Sequence, residues 1–121
     1  ITSLKNAVAL AKDGDTIIVK AGKYNSFNTL INKQLTILGQ GYPVLDAGFK
    51  EECLTITAHH VKVDGFIVKN SKTGAMRDYA GIRLHHTAYV TISNNKLLHN
   101  FFGIYVSDSR NIQILNNECK G

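Results

Sequence analysis

Two histidine pairs, His59-His60 and His85-His86, lie 26 residues apart in a chain of 121 residues that holds five histidines. Imidazole nitrogen suits copper, zinc and nickel, and copper(II) binds most tightly among the divalent ions. Met76 and Cys53 add a thioether and a thiol, the soft donors that copper(I) prefers. These residues form one site only if the backbone brings them together, so the elements that carry them come next.

The segment AGIRLHHTAYVTISNN (80–95) is followed by FGIYVSDSRNIQILNN (102–117). Gly81, Ile82, Leu84, Val90, Ile92, Asn94 and Asn95 fall on Gly103, Ile104, Val106, Ile112, Ile114, Asn116 and Asn117, each pair 22 apart. A repeat of this length marks a solenoid, in which one unit cannot bury its apolar face alone and stacks on the next. Apolar residues alternate with polar ones over short runs such as Ile82-x-Leu84 and Val90-x-Ile92, which is strand periodicity. Each unit is therefore a coil of short strands and tight turns. Stacked in parallel, such coils make a β-helix of about four turns with a dry aliphatic interior.

Earlier segments fit the same template with looser spacing. Thr16–Val19 reads as a strand. Leu30, Leu35 and Ile37 are expected inward, as are Leu54, Ile56, Val61 and Val63. Gly39, Gly65, Asn94 and Asn116 each follow a strand at the same offset, a position expected to need left-handed backbone, which Gly and Asn tolerate best. Asn94, Asn95, Asn116 and Asn117 are expected to stack as a hydrogen-bonded ladder. The first segment differs. Leu4, Ala7, Val8 and Ala11 have helical spacing, with Thr2 or Ser3 as N-cap, Lys12 in the last turn and Gly14 as a left-handed stop. Residues 1–14 thus form a helical cap over the open end of a single domain, 1–121. The segment 71–78 is an insertion relative to the last coil.

A hydrophobic content of 44% and a charged content of 19% suit one globular domain. No apolar run approaches the roughly 20 residues of a membrane-spanning helix. The formal net charge of +5 comes from scattered Lys and Arg, without a basic run, so no nucleic-acid site is expected. Cys53 and Cys119 make no zinc motif by themselves, and they fall on different coils, so no bridge between them is expected. By its repeat, Cys119 matches Leu97 and should be a small buried hydrophobe.

The opening SLKNAVALAKDGDTIIVKAGKY…INKQLTILGQGYPVLDAG resembles the start of right-handed parallel β-helix proteins of the pectin-lyase-like class. The stretch VKVDGFIVKNS…MRDYAGIRL…VTISNNKLLHNFFGIYVSDSRNIQILNNE is similar to the NosD family. That resemblance implies a periplasmic or otherwise exported copper-binding protein. Its partners would be ABC transporter components and a copper-accepting enzyme, nitrous oxide reductase, whose maturation it serves. It also implies a longer protein, of which this chain is an N-terminal piece. An uncapped last coil is expected to self-associate edge to edge.

Both histidine pairs are expected in turns between an Ile or Leu strand and a Val strand. Neighbouring coils lie about 4.8 Å apart, so the two turns can converge, with Ser107 and Asp108 in the matching turn of the next coil. Against this, loop lengths differ, and adjacent residues on a strand point to opposite sides. Enzymatic activity is not expected. A polysaccharide lyase needs carboxylates for calcium and a basic residue as proton acceptor. Of the nine acidic residues, Asp46, Asp64, Asp78 and Asp108 are dispersed, and no two recur at equivalent positions in successive coils. Arg77, Arg83 and Arg110 can contact acidic sugars. The alternative function is therefore a carbohydrate-binding or polysaccharide-processing β-helix.

Overall fold

A computed structural model describes residues 4–26, 28–50, 52–71, 80–100 and 102–120. One short helix, α1 (Leu4–Leu10), precedes a parallel β-solenoid. The first coil holds β1 (Thr16–Val19), β2 (Lys23–Asn25) and β3 (Thr29–Ile31). The second holds β4 (Thr36–Gly39), β5 (Val44–Asp46) and β6 (Leu54–Ile56), and the third β7 (Lys62–Asp64), β8 (Ile67–Lys69) and β9 (Ala80–His85). Then follow β10 (Ala88–Ser93), β11 (Lys96–Leu98) and β12 (Phe102–Ser107), and finally β13 (Arg110–Leu115) and β14 (Glu118–Lys120). Three parallel sheets result, ordered β1-β4-β7-β10-β13, β2-β5-β8-β11-β14 and β3-β6-β9-β12.

Register turns the sequence alternation into core columns. Ile17, Ile37, Val63, Ile92 and Ile114 stack in successive rungs of the first sheet. Ile31, Ile56, Leu84 and Val106 stack in the third. Ile37, Val63, Ile92, Ile31, Ile56 and Leu84 are fully buried, each worth about 1.5–3 kcal/mol of transfer free energy. Every column opens at its last rung. Ile114 is 46% exposed and Val106 41%. The same rule corrects the expectation for Cys119. It does pair with Leu97 as the repeat requires, but it is exposed, because no further rung covers it here.

Leu30 is a second correction. It points outward, and its neighbours Thr29 and Ile31 point in. The inward hydroxyl of Thr29 is satisfied by Ser26 Oγ at 3.0 Å, so a polar residue holds a core position that hydrophobicity alone assigns to Leu30.

The cap helix packs Leu4 and Val8 into the core, and Gly14 is left-handed, with φ 91°. The helix stops at Leu10, so Lys12 lies beyond its last turn. The cation at its C-terminal end comes from Lys33 instead, whose ammonium donates to the carbonyls of Val8, Ala9 and Ala11 at 2.9, 3.0 and 2.8 Å. Those are orphan acceptors at the negative end of the helix.

The corner residues divide by role. Gly65, Asn94 and Asn116 are left-handed, with φ 87°, 55° and 57°. Gly39 is not left-handed. It is glycine because a Cβ there would sit 2.4 Å from the Gly65 carbonyl oxygen. The ladder is built from Asn95 and Asn117 alone. Asn95 Nδ2 donates to Asn117 Oδ1 at 3.1 Å and to the Val63 carbonyl at 3.1 Å, and its Oδ1 accepts from Phe66 N–H at 2.9 Å. Asn94 instead donates outward to Asp64 Oδ2 at 2.9 Å. Burial opposes the charge on Asp64. Donation from Ser93 and Asn94, with the nearby charge of Lys62, outweighs it and holds the carboxyl below its ordinary range.

Candidate metal centre

The corner joining β9 to β10 stacks directly on the corner joining β12 to β13. Ser107 pairs with His85 in the ladder, and backbone bonds continue the stacking, from His86 N–H to the Ser107 carbonyl at 3.2 Å and from Arg110 N–H to the Thr87 carbonyl at 3.1 Å. Thr87 N–H also donates to Ser109 Oγ at 3.2 Å. Asp108 therefore sits one rung from His86.

His86 and Asp108 are both left-handed, with φ 52° and 49°. His, Asn and Asp are the non-glycine residues that accept this conformation most readily. A left-handed residue breaks strand alternation. Adjacent His85 and His86, expected on opposite sides, thereby bring their rings to 4.0 Å between centroids at an interplanar angle of 66°. His86 Nε2 lies 3.7 Å from Asp108 Oδ2. One ligand atom from each of His85, His86 and Asp108 falls within 4.8 Å of the other two, and all three residues are exposed. Ser107 Oγ lies 2.8 Å from His85 Nδ1. When Nδ1 carries the proton and donates to that hydroxyl, the other ring nitrogen keeps its lone pair for a ligand.

The remaining sequence candidates do not join this group. His59 lines a shallow depression of about 430 Å³ beside His86 and Asp108, but it is not among the three clustered donors. His60 stacks on Tyr89, with ring centroids 5.0 Å apart and planes 3° from parallel. Register explains why the two pairs do not coincide. Ile56 pairs with Leu84 and Lys62 with Thr91, so the β6–β7 corner is one residue shorter than the β9–β10 corner. Met76 lies outside the described residues, as do Arg77 and Asp78. Cys53 is unsuitable as a metal ligand. It is fully buried, and burial pushes its thiol up to about 12, so the thiolate that metals bind is inaccessible.

Asp108 is the third donor. The signal for it is the 22-residue repeat, which maps His86 onto Asp108. A buried ion pair on the third sheet carries no such signal. Glu52, 2% exposed, accepts from Arg83 Nε, and Tyr105 covers the guanidinium at 4.6 Å. Arg83 is thus engaged within the fold and is not a free cation for an acidic sugar.

The model of a protein family described as "Periplasmic copper-binding protein (NosD)" matches residues 8–121. The chain belongs to the NosD family. A cell surface glycoprotein of Methanothermus fervidus is 34% identical to it over 90 residues, covering 74% of this chain and 14% of that protein. The NosD chain described here thus spans about 14% of the length of the relative it matches. No solved structure matches it. Among its described residues no helix is long and apolar enough to cross a membrane. The donors at the NosD corner, two imidazoles and a carboxylate, fit a borderline divalent ion such as copper(II).

Proposed function

We propose that this chain is a copper-holding module of an exported accessory protein. It accepts copper and hands it on during maturation of nitrous oxide reductase, alongside ABC transporter components, without turnover of its own. The observation that carries this reading is the meeting of two imidazoles and a carboxylate on one exposed corner of a chain in the NosD family. An exposed cargo site suits transfer, because an incoming ligand can reach the ion without unfolding the carrier. Equilibrium dialysis of the 121-residue chain against copper(II), and against copper(I) under reductant, tests it. About one copper per chain is the expected result in at least one of the two states, and none in either would refute the reading.

A second reading has one observation in its favour. Tyr89, Thr91, Asn111 and Gln113 line a shallow groove of about 390 Å³ on the outer face of the first sheet. Aromatic faces, amides and hydroxyls are the groups that hold sugars. Retention on immobilised polysaccharide, lost in Tyr89→Ala, together with inertness toward copper, would favour a carbohydrate-binding module.

A further inference from the structure

We infer that His85, His86 and Asp108 form a site for copper as the divalent ion, and that the bound ion fastens two successive coils together. The inference rests on the copper-binding reading above and assigns that reading its ligands, its oxidation state and a mechanical consequence.

The ligands follow from placement. His85 ends β9 and His86 follows it, whereas Asp108 belongs to the next coil, 22 residues on from His86. At 3.7 Å, His86 Nε2 and Asp108 Oδ2 are too far apart for a good hydrogen bond. A cation between them would draw on both. The left-handed backbone at both positions turns the three donors to one side of the molecule.

The oxidation state follows from donor chemistry. Imidazole nitrogen and carboxylate oxygen favour divalent borderline ions, and copper(I) favours thiolate and thioether. Neither described thiol can serve this corner. Cys53 is in the core, and Cys119 is on β14, paired with Leu97 in a different sheet.

The mechanical consequence follows from where the second coil sits. Backbone bonds flank the site, from His86 N–H to the Ser107 carbonyl and from Arg110 N–H to the Thr87 carbonyl. The coil that supplies Asp108 is the least covered, with Val106, Ile114 and Leu115 exposed. An ion ligated by both coils binds only while they are docked, so it stabilises the docked state by mass action.

The test uses copper(II) sulfate in a non-coordinating buffer, and copper(I) under anaerobic conditions with bicinchoninate as competitor. The variants are His86→Asn and Asp108→Asn, because Asn accepts the left-handed backbone and removes the imidazole or the charge. His99→Asn, on a corner of another sheet, is the control. Copper(II) should bind one per chain, and each site variant should weaken it at least about tenfold, since loss of even an outer-shell partner costs that much. The control should leave affinity unchanged. Hydrogen exchange of the peptide covering 102–115 should slow on copper(II) loading in the wild type and not in the site variants. A readout that needs no variant is paramagnetic broadening. Copper(II) should broaden the imidazole signals of His85 and His86 before those of His59, His60 and His99. Copper(II) binding at wild-type strength in both site variants, or broadening that begins at another histidine, overturns the ligand assignment while leaving copper binding by the chain in place. Binding of copper(I) alone overturns the oxidation state, and unchanged exchange on loading overturns the clamp. Failure to bind either ion overturns the inference and the copper reading together.

Discussion

Replacing Asn95 by Ala tests the inward ladder that holds the corners in register. Asn95 is 1% exposed. Its Oδ1 accepts from the buried Phe66 N–H, and its Nδ2 donates to the buried Val63 carbonyl. Alanine leaves both backbone groups without that partner in a place water does not reach. A buried group left unsatisfied costs about 1–3 kcal/mol. Counting the Phe66 N–H in full and the Val63 carbonyl, which has a second lone pair, at the low end gives about 2–4 kcal/mol. That is a large part of the roughly 5–15 kcal/mol that a domain commands. Asn94→Gly is the matched control. Asn94 is exposed and left-handed, so glycine keeps the backbone and forfeits mainly the bond to Asp64, at a cost below about 1 kcal/mol. Urea unfolding followed by circular dichroism measures both. The reasoning fails if Asn95→Ala falls within about 0.5 kcal/mol of wild type, or if Asn94→Gly proves the more damaging of the two.

Four further outcomes follow from the same structure. Gly39→Ala puts a Cβ 2.4 Å from the Gly65 carbonyl oxygen and should cost about 3 kcal/mol, the upper range for overpacking, in the same urea assay; a neutral effect would mean the two corners do not approach as described. A thiol reagent should label Cys119 in the native chain and reach Cys53 only after denaturation, since Cys53 is buried with its thiol pushed up to about 12; two rapidly reacting native thiols would contradict that. Because the Asp64 carboxyl is held below its ordinary value, it contributes stability above the unfolded carboxyl pKa and loses it as pH falls through the folded value. Acid unfolding should therefore be shallower in Asp64→Asn than in wild type, and identical acid profiles would remove the claim. Finally, with Val106, Ile114 and Leu115 exposed and β13 at the edge of its sheet, the 121-residue polypeptide should self-associate in sedimentation velocity, and a monomer at every concentration would count against this.

The 22-residue repeat made the later coils legible. It anticipated the pairing of Ile82 with Ile104 and Val90 with Ile112 residue for residue, because identical spacing leaves one register. Where spacing varies, sequence lost its hold. Thr29 took the inward place expected of Leu30 because Ser26 satisfies its hydroxyl, a contact that hydrophobicity patterns do not encode. The outer end of the cap helix was assigned to Lys12, but the ammonium that reaches its carbonyls comes from Lys33, a coil away. Gly39 was grouped with Gly65 as a left-handed corner, and only the approach of two backbones separates their reasons for being glycine.

The candidate site was half legible. The type of its donors was visible in His85-His86, and the repeat already placed Asp108 in the matching turn. Strand alternation argued against two adjacent histidines facing one way, and only the left-handed backbone at His86 lifts that objection. His59-His60 looked equivalent at 26 residues' distance. The shorter β6–β7 corner shifts the pair out of register and leaves His60 stacked on Tyr89.

The site itself is tested most directly by electron paramagnetic resonance at one equivalent of copper(II). Nitrogen coupling from two imidazoles is expected in the wild-type chain, falling to one in His86→Asn. A spectrum that is the same in both proteins would contradict the assignment of copper to the corner between the two coils.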